Sequence, residues 1–222
     1  MTEVKGEYIQ YGCGLSCPEG WINFDGSPRL RFEKIPFAGN LIKISGKAIF
    51  PKNVAYGDII KGLPIRSGAA KGVYCSHVLE HLDRTSVERA LNNSLKLLKP
   101  GGVFRLVVPD LTWRSRLFLE TQAHGQPEAA DEFMKSTYLG VVEPVSGITD
   151  RLRHAFGNSA HRWMYDLALM KRLLENAGFV DIRRCAFGDA DDPMFNMVEE
   201  YDRFFDSGHE ELAIEARRPT GR

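Results

Sequence analysis

Four places along this chain carry residue types that can do chemistry. Gly12-Cys13-Gly14 follows a short β-prone run, Glu7 to Tyr11, and glycines in that place let the backbone approach a ligand closely. Asp25 closes a second such run, Trp21 to Phe24, where a carboxylate can accept both hydroxyls of a ribose. Asp58 closes a third run, Asn53 to Asp58, and Ser76-His77 follows a fourth, Gly72 to Cys75. Each piece alone is ordinary, since Gly-x-Gly and Asp25-Gly26 are turn signals in their own right. Their order is the informative feature, because open α/β sheets bind ligands outside the carboxyl ends of their strands.

The elements that must hold these residues alternate between strand and helix patterns. Thr85-Ser86-Val87-Glu88 has a reciprocal capping pattern, and Val87, Ala90, Leu91, Leu95 and Leu98 recur at helical spacing until Lys99-Pro100-Gly101-Gly102. Val103 to Val108 then reads as a strand buried on both faces. Asp166 caps a second helix, with Leu169, Met170, Leu173, Leu174 and Ala177 on one face and Gly178 as its stop. Phe179 to Phe187 and Leu212 to Arg217 read as two closing strands. The fold class is α/β: a mostly parallel central sheet, an antiparallel final strand, and helices on both faces. The chain, 1–222, is expected to form a single domain with an insertion at about 111–162.

Composition narrows the function. Lys plus Arg total 29 and Asp plus Glu total 29, so the net charge is zero and broad electrostatic capture of nucleic acid or an anionic membrane is not expected. No long apolar run or secretory start is present, and a cytoplasmic protein is expected. The four cysteines lack the spacing of a zinc ligand set and read as free thiols.

Taken together, Tyr8-Ile9-Gln10-Tyr11-Gly12-Cys13-Gly14, Gly20 to Asp25, Tyr56-Gly57-Asp58-Ile59, Cys75 to Leu82 and Leu97 to Gly102 resemble the class I S-adenosylmethionine-dependent methyltransferases. Most similar are small bacterial methyltransferase-domain proteins associated with glycosyltransferases and surface polysaccharide synthesis. The resemblance covers nearly the whole chain. It implies S-adenosylmethionine as cofactor and S-adenosylhomocysteine as product, and the insertion at about 111–162, read from its Gly and Pro breaks, is expected to cover the acceptor side. Gly12 and Gly14 would pass beneath the methionine part, with Gln10, Tyr11 and Cys13 also counted as cofactor-binding, Asp25 would hold the ribose, and Asp58 with the backbone of Ile59 would read the adenine edge. Ser76 and His77 would flank the methionine amino group and the methyl.

Two departures from the family pattern stand out. Gln10 occupies a position where many members carry an acid, and a neutral amide accepts from an ammonium more weakly. Only ten residues separate Gly14 from Asp25, with Pro18 and Gly20 among them, so no full helix fits after strand one. That loss is tolerable for S-adenosylmethionine, which has no pyrophosphate to place on a helix N-terminus. It argues against an NAD-linked oxidoreductase.

The segment His77-Val78-Leu79-Glu80-His81 also matches the inverted zinc-peptidase signature, but that motif needs a long helix, and here it sits at a strand-to-helix junction. Some metal-dependent O-methyltransferases are similar at this segment, and His161 would then be a fourth ligand. The plainer reading, in which Glu80 and His81 cap and orient the following helix, is preferred, and no metal is assigned. For a hydroxyl acceptor a base is useful, and His161 is the first candidate, His77 the second, with His154 in the insertion a third. The expected activity is O-methylation of a small or carbohydrate-like acceptor, with a non-catalytic nucleoside-binding or assembly subunit as the alternative.

Overall fold

The computed structural model describes residues 7–35, 49–140 and 160–221. Its strands are β1 (Tyr8–Tyr11), β2 (Ile22–Asp25), β3 (Val54–Tyr56), β4 (Ala70–Ser76), β5 (Leu98–Val108), β6 (Val180–Arg184), β7 (Phe205–Asp206), β8 (His209–Glu210) and β9 (Leu212–Arg217). Among the described residues, seven of these form one sheet in the order β3-β2-β1-β4-β5-β9-β6, and β7 and β8 form a separate hairpin. Pairings from β3 to β5 are parallel, whereas β9 runs antiparallel to both β5 and β6. The chain winds outward from β1 to β3 and then returns to β4 on the other side of β1. That reversal leaves a crevice at the carboxyl ends of β1 and β4, where Tyr11 pairs with Cys75.

Side-chain alternation along the strands builds two cores. On one face Val73, Cys75, Phe104, Leu106, Val108, Leu212 and Ile214 pack with helices α2 (Arg84–Leu97) and α5 (Leu167–Ala177) through Val87, Leu91, Met170 and Leu174. On the other, Tyr74, Val107 and Ala213 meet Trp21 and a stretch with little helix that contributes Phe195, Val198 and Phe204. Arg105 points to this second face from the middle of β5. It is tolerated there because Glu199 and Glu215 accept its N–H groups at 2.8 Å each.

The long helices start and stop for local reasons. Asp166 accepts the Leu169 N–H at 2.8 Å, and Gly178 ends α5 at φ +96°, both as the sequence indicates. The start of α2 differs from expectation. Asp83, two residues before Thr85, is the cap and accepts the Ser86 N–H at 3.0 Å. Lys99 to Gly102, expected to lie between helix and strand, fall within β5 where the pairing register shifts.

Ser27 followed by Pro28 starts a short helix, α1 (Pro28–Glu33), that the hydrophobic spacing does not announce. Between Gly14 and Ile22 there is no helix, in agreement with the short crossover. After β5 come α3 (Leu111–Ala123) and α4 (Ala129–Ser136), which occupy the described part of the 111–162 segment. No helix among the described residues is long and apolar enough to cross a membrane.

Candidate active site

The turn after β1 is shaped for close approach. Gly12 has φ +66°, and a Cβ built there would lie 2.1 Å from Val78 Cγ2, so no other residue fits without rearrangement. Gly14 has φ +56°, and its N–H donates to Asp25 Oδ2 at 3.0 Å. The Ser27 N–H donates to the other oxygen, Oδ1, at 2.8 Å. Asp25 thus ties the glycine turn to the start of α1 while facing a cleft of about 480 Å³. Asp58 lines the same cleft, its Oδ1 accepting the Ile60 N–H at 3.0 Å, and Ile59 lies beside it.

At the end of β4 the chain enters a left-handed conformation at His77, φ 52°. One ring nitrogen, Nδ1, faces Glu80 Oε1 at 3.2 Å and the other, Nε2, faces the Arg203 carbonyl at 2.9 Å. Both partners are acceptors, so the imidazolium form is the one this arrangement satisfies. Burial works against that charge, but the Glu80 carboxylate and the Arg203 carbonyl outweigh it and hold the His77 pKa above its ordinary value.

Glu80 itself is fully buried in a short 3₁₀ turn, Leu79–His81. Its backbone carbonyl accepts N–H groups from Arg162 at 2.7 Å and Trp163 at 3.2 Å, which brings the segment beginning at Ala160 against the end of β4. The His81 ring lies 3.1 Å from the Ala160 carbonyl through Nδ1, and its centroid is 5.1 Å from that of His161. Among the described residues, ligand atoms of Glu80, His81 and His161 all lie within 4.8 Å of one another. Burial lowers the His161 pKa, Glu80 opposes that, and His81 and His77 add to the lowering, so the ring is neutral at neutral pH.

The sequence-derived candidates divide accordingly. Tyr11, Gly12, Gly14, Asp25, Asp58, Ile59 and His77 line the cleft. Gln10, Cys13 and Ser76 are buried beside it without lining it: Gln10 Oε1 and Ser76 Oγ have no hydrogen-bond partner among the described residues, and Cys13 packs with Leu30 and Val54. Glu80 and His81 do not cap α2, because Asp83 does and the Glu80 carboxylate is turned inward. His161 joins the Glu80 cluster, and His154 lies outside the described residues.

Among the residues that line the cleft without having been foreseen are Arg203 and Val78. Arg203 arrives from α6 (Tyr201–Phe204), and Val78 closes over Gly12. Neither carries a local signal, since both act through contacts distant in sequence. A second cavity of about 390 Å³ lies between α3, α4 and the β7–β8 hairpin, lined by Trp113, Phe133, Tyr138, Asp206 and His209. Tyr138 joins it to the cluster, its ring centroid 5.0 Å from that of His161.

An open α/β sheet with a glycine turn and strand-end acids around its switch point defines a nucleoside-binding class of enzyme. A family model described as a methyltransferase domain matches residues 19–183, and the chain belongs to that family. It is an S-adenosylmethionine-dependent methyltransferase.

Solved structures similar to it include an S-adenosylmethionine-dependent methyltransferase from Archaeoglobus fulgidus, at 17% identity and TM-score 0.48, with 96% of this chain and 86% of that chain covered. A possible histamine N-methyltransferase from Thermotoga maritima is similar at 14% identity and TM-score 0.46, covering 98% and 84%. The 1,6-didemethyltoxoflavin-N1-methyltransferase of Burkholderia thailandensis is similar at 12% identity and TM-score 0.45, covering 97% and 72%. No curated protein matches the chain.

Proposed function

We propose that this methyltransferase acts on a hydroxyl oxygen of a small, carbohydrate-like acceptor, within one domain whose 111–162 segment covers the acceptor. The observation that carries the reading is the contact of the His161 ring with His81, which lines the cleft, and with Tyr138, which lines the neighbouring cavity. When bound, S-adenosylmethionine supplies a methyl carbon on a sulfonium sulfur, which leaves as a neutral thioether once an acceptor lone pair attacks in line.

The chain's own residues then have distinct tasks. The turn of Gly12 and Gly14 receives the methionine part, Asp25 holds the ribose hydroxyls, and Asp58 and Ile59 bound the adenine. The Arg203 guanidinium, an Nη of which would lie 3.9 Å from a Cβ at Gly14, is placed to meet the methionine carboxylate. His77, committed to two acceptors, orients the turn and takes no proton from the acceptor. His161 is the base in this reading, and burial keeps it unprotonated for that work.

Support for a carbohydrate-like acceptor is chemical. Tyr138, whose ring meets that of His161, is 54% exposed and Trp163, two residues after His161, is 43% exposed, and such rings stack on sugar faces. The neighbouring cavity adds Asp206, Glu132 and His209 as hydroxyl partners. The experiment is an acceptor screen read by S-adenosylhomocysteine release, comparing hydroxylated sugars and sugar nucleotides with amines of similar size. Turnover confined to the amines would overturn the oxygen assignment.

A further inference from the structure

We propose that His77 is a positioning residue: its ring clasps α6 to the buried Glu80 just after β4 and so holds the Arg203 guanidinium over the glycine turn, where it selects a cofactor with a free carboxylate. The clasp rests on the cofactor reading above and concerns one end of that site.

Three observations meet at His77. Its backbone is left-handed, φ 52°, a conformation that a residue with a side chain keeps only where its surroundings impose it. Its N–H donates to the Val107 carbonyl at 3.0 Å, so the residue is seated against β5 as it leaves β4. Its ring spans from Glu80 Oε1 at 3.2 Å to the Arg203 carbonyl at 2.9 Å. An imidazolium donates at both ends, and the ring between them is rigid.

The two ends of this bridge differ in kind. Glu80 is fixed, with no exposure to solvent and a backbone carbonyl that accepts the Arg162 and Trp163 N–H groups. By contrast, α6 is four residues long and too short to hold its place through its own hydrogen bonds. Two further ties lie after Arg203 in the chain. The buried Phe204 accepts the Glu211 N–H through its carbonyl at 2.8 Å, and Asp206 accepts from Arg114 at 2.8 Å. His77 is the tie at Arg203 itself.

What the bridge positions is the side chain of that same residue. Among the described residues, Arg203 is the only lysine or arginine that lines the cleft. Its Nη2 would lie 3.9 Å from a Cβ at Gly14, and its pairing with Glu200, 3.7 Å away and half-exposed, is weak. Gln10 and Ser76 beside the cleft are neutral, and the His77 charge is countered by Glu80. The Arg203 guanidinium is therefore the permanent charge that can recognise a carboxylate there. Anchoring its carbonyl fixes the Cα from which it reaches, so less conformational freedom is lost when the ligand arrives.

The test is calorimetry on the full chain with two ligands: S-adenosylhomocysteine, which carries the carboxylate, and 5′-methylthioadenosine, which has the same nucleoside and sulfur but no amino-acid end. His77→Asn keeps a residue that tolerates the left-handed backbone and removes the bridge. It should weaken S-adenosylhomocysteine about tenfold, the scale of one charge-assisted hydrogen bond, and leave 5′-methylthioadenosine within about twofold of wild type. Arg203→Met should have at least as large an effect with the same selectivity. The combined variant should bind no more weakly than Arg203→Met alone, because His77 acts through Arg203. If His77→Asn strands the Glu80 charge and is unstable, His77→Asn with Glu80→Gln carries the comparison. Equal losses for the two ligands, additive losses in the combined variant, or a variant of either residue that binds S-adenosylhomocysteine as wild type does overturns the clasp and leaves the cofactor reading standing. Failure of the wild-type chain to bind either ligand overturns that reading, and the clasp with it.

Discussion

The carboxylate of Asp25 accepts the backbone N–H of Gly14 at 3.0 Å, so the acid at the end of β2 holds the glycine turn at the end of β1. The same group is assigned to the ribose, and its substitution therefore has two effects. Asp25→Ala removes the acceptor for two backbone N–H groups as well as the ribose partner. A loss of about 1.5–3 kcal/mol in cofactor affinity is the scale for a charge-assisted hydrogen bond, which is tenfold or more in Kd. Calorimetry with S-adenosylhomocysteine checks it, and an unchanged Kd would remove Asp25 from the site. The melting temperature should fall as well, because the turn loses its brace.

Gly12 makes a sharper case, since strain and space can be separated. Gly12→Ala puts a methyl group 2.1 Å from Val78 Cγ2 and places an alanine at φ +66°. The left-handed conformation costs roughly 1–2 kcal/mol and the clash adds to it. Cofactor affinity should drop by more than tenfold. Adding Val78→Ala should recover part of the loss, the part due to space. Equal affinity in the single and double variants would show that strain alone matters.

How much of this was legible in the sequence follows from distance along the chain. The glycine turn, Asp25 and Asp58 were readable because each directly follows a strand run, and Asp166 and Gly178 because caps act within a few residues. Asp83 was missed as a cap because Thr85 to Glu88 offers a better-formed local pattern that tertiary packing does not use. The inward turn of Glu80 was not readable, since it depends on Ala160 to Trp163 closing over it from about eighty positions away. Arg203 was beyond reach for the same reason, its carbonyl meeting His77 across 126 positions.

A stability test follows from the cluster behind the second cavity. Arg114 is 2% exposed, and its guanidinium donates to both oxygens of Glu211 at 2.7 Å each and to Asp206 at 2.8 Å. These bonds pin α3 to the β7–β8 hairpin and to the start of β9. Glu211→Ala leaves a buried guanidinium short of its main partner, which costs about 3–5 kcal/mol. Urea denaturation should show a lower midpoint with an unchanged slope. The pair replacement Arg114→Met with Glu211→Leu should be much less damaging than Glu211→Ala, because the only charge that loses its partner is that of the partly exposed Asp206.

His161 offers the clearest separation of binding from chemistry. Its ring contacts His81 and Tyr138 and is not among the residues lining the cofactor cleft. Removing it should spare the nucleoside and harm the acceptor step. As the base of this reading, His161 is expected to matter for turnover: His161→Ala should lower kcat by about 10²–10⁴-fold, the range for a group that assists proton removal. The Kd for S-adenosylmethionine should stay within about twofold of wild type, since cofactor contacts are unchanged. His161→Gln keeps a polar group there but cannot take up a proton, and should not rescue turnover. Added imidazole should rescue His161→Ala in part if the residue works as a base, because a free imidazole can enter the vacated space and accept the proton. Full turnover by His161→Ala on the true acceptor would return the role to another group, and among the described residues Glu80 and His81 are the nearest.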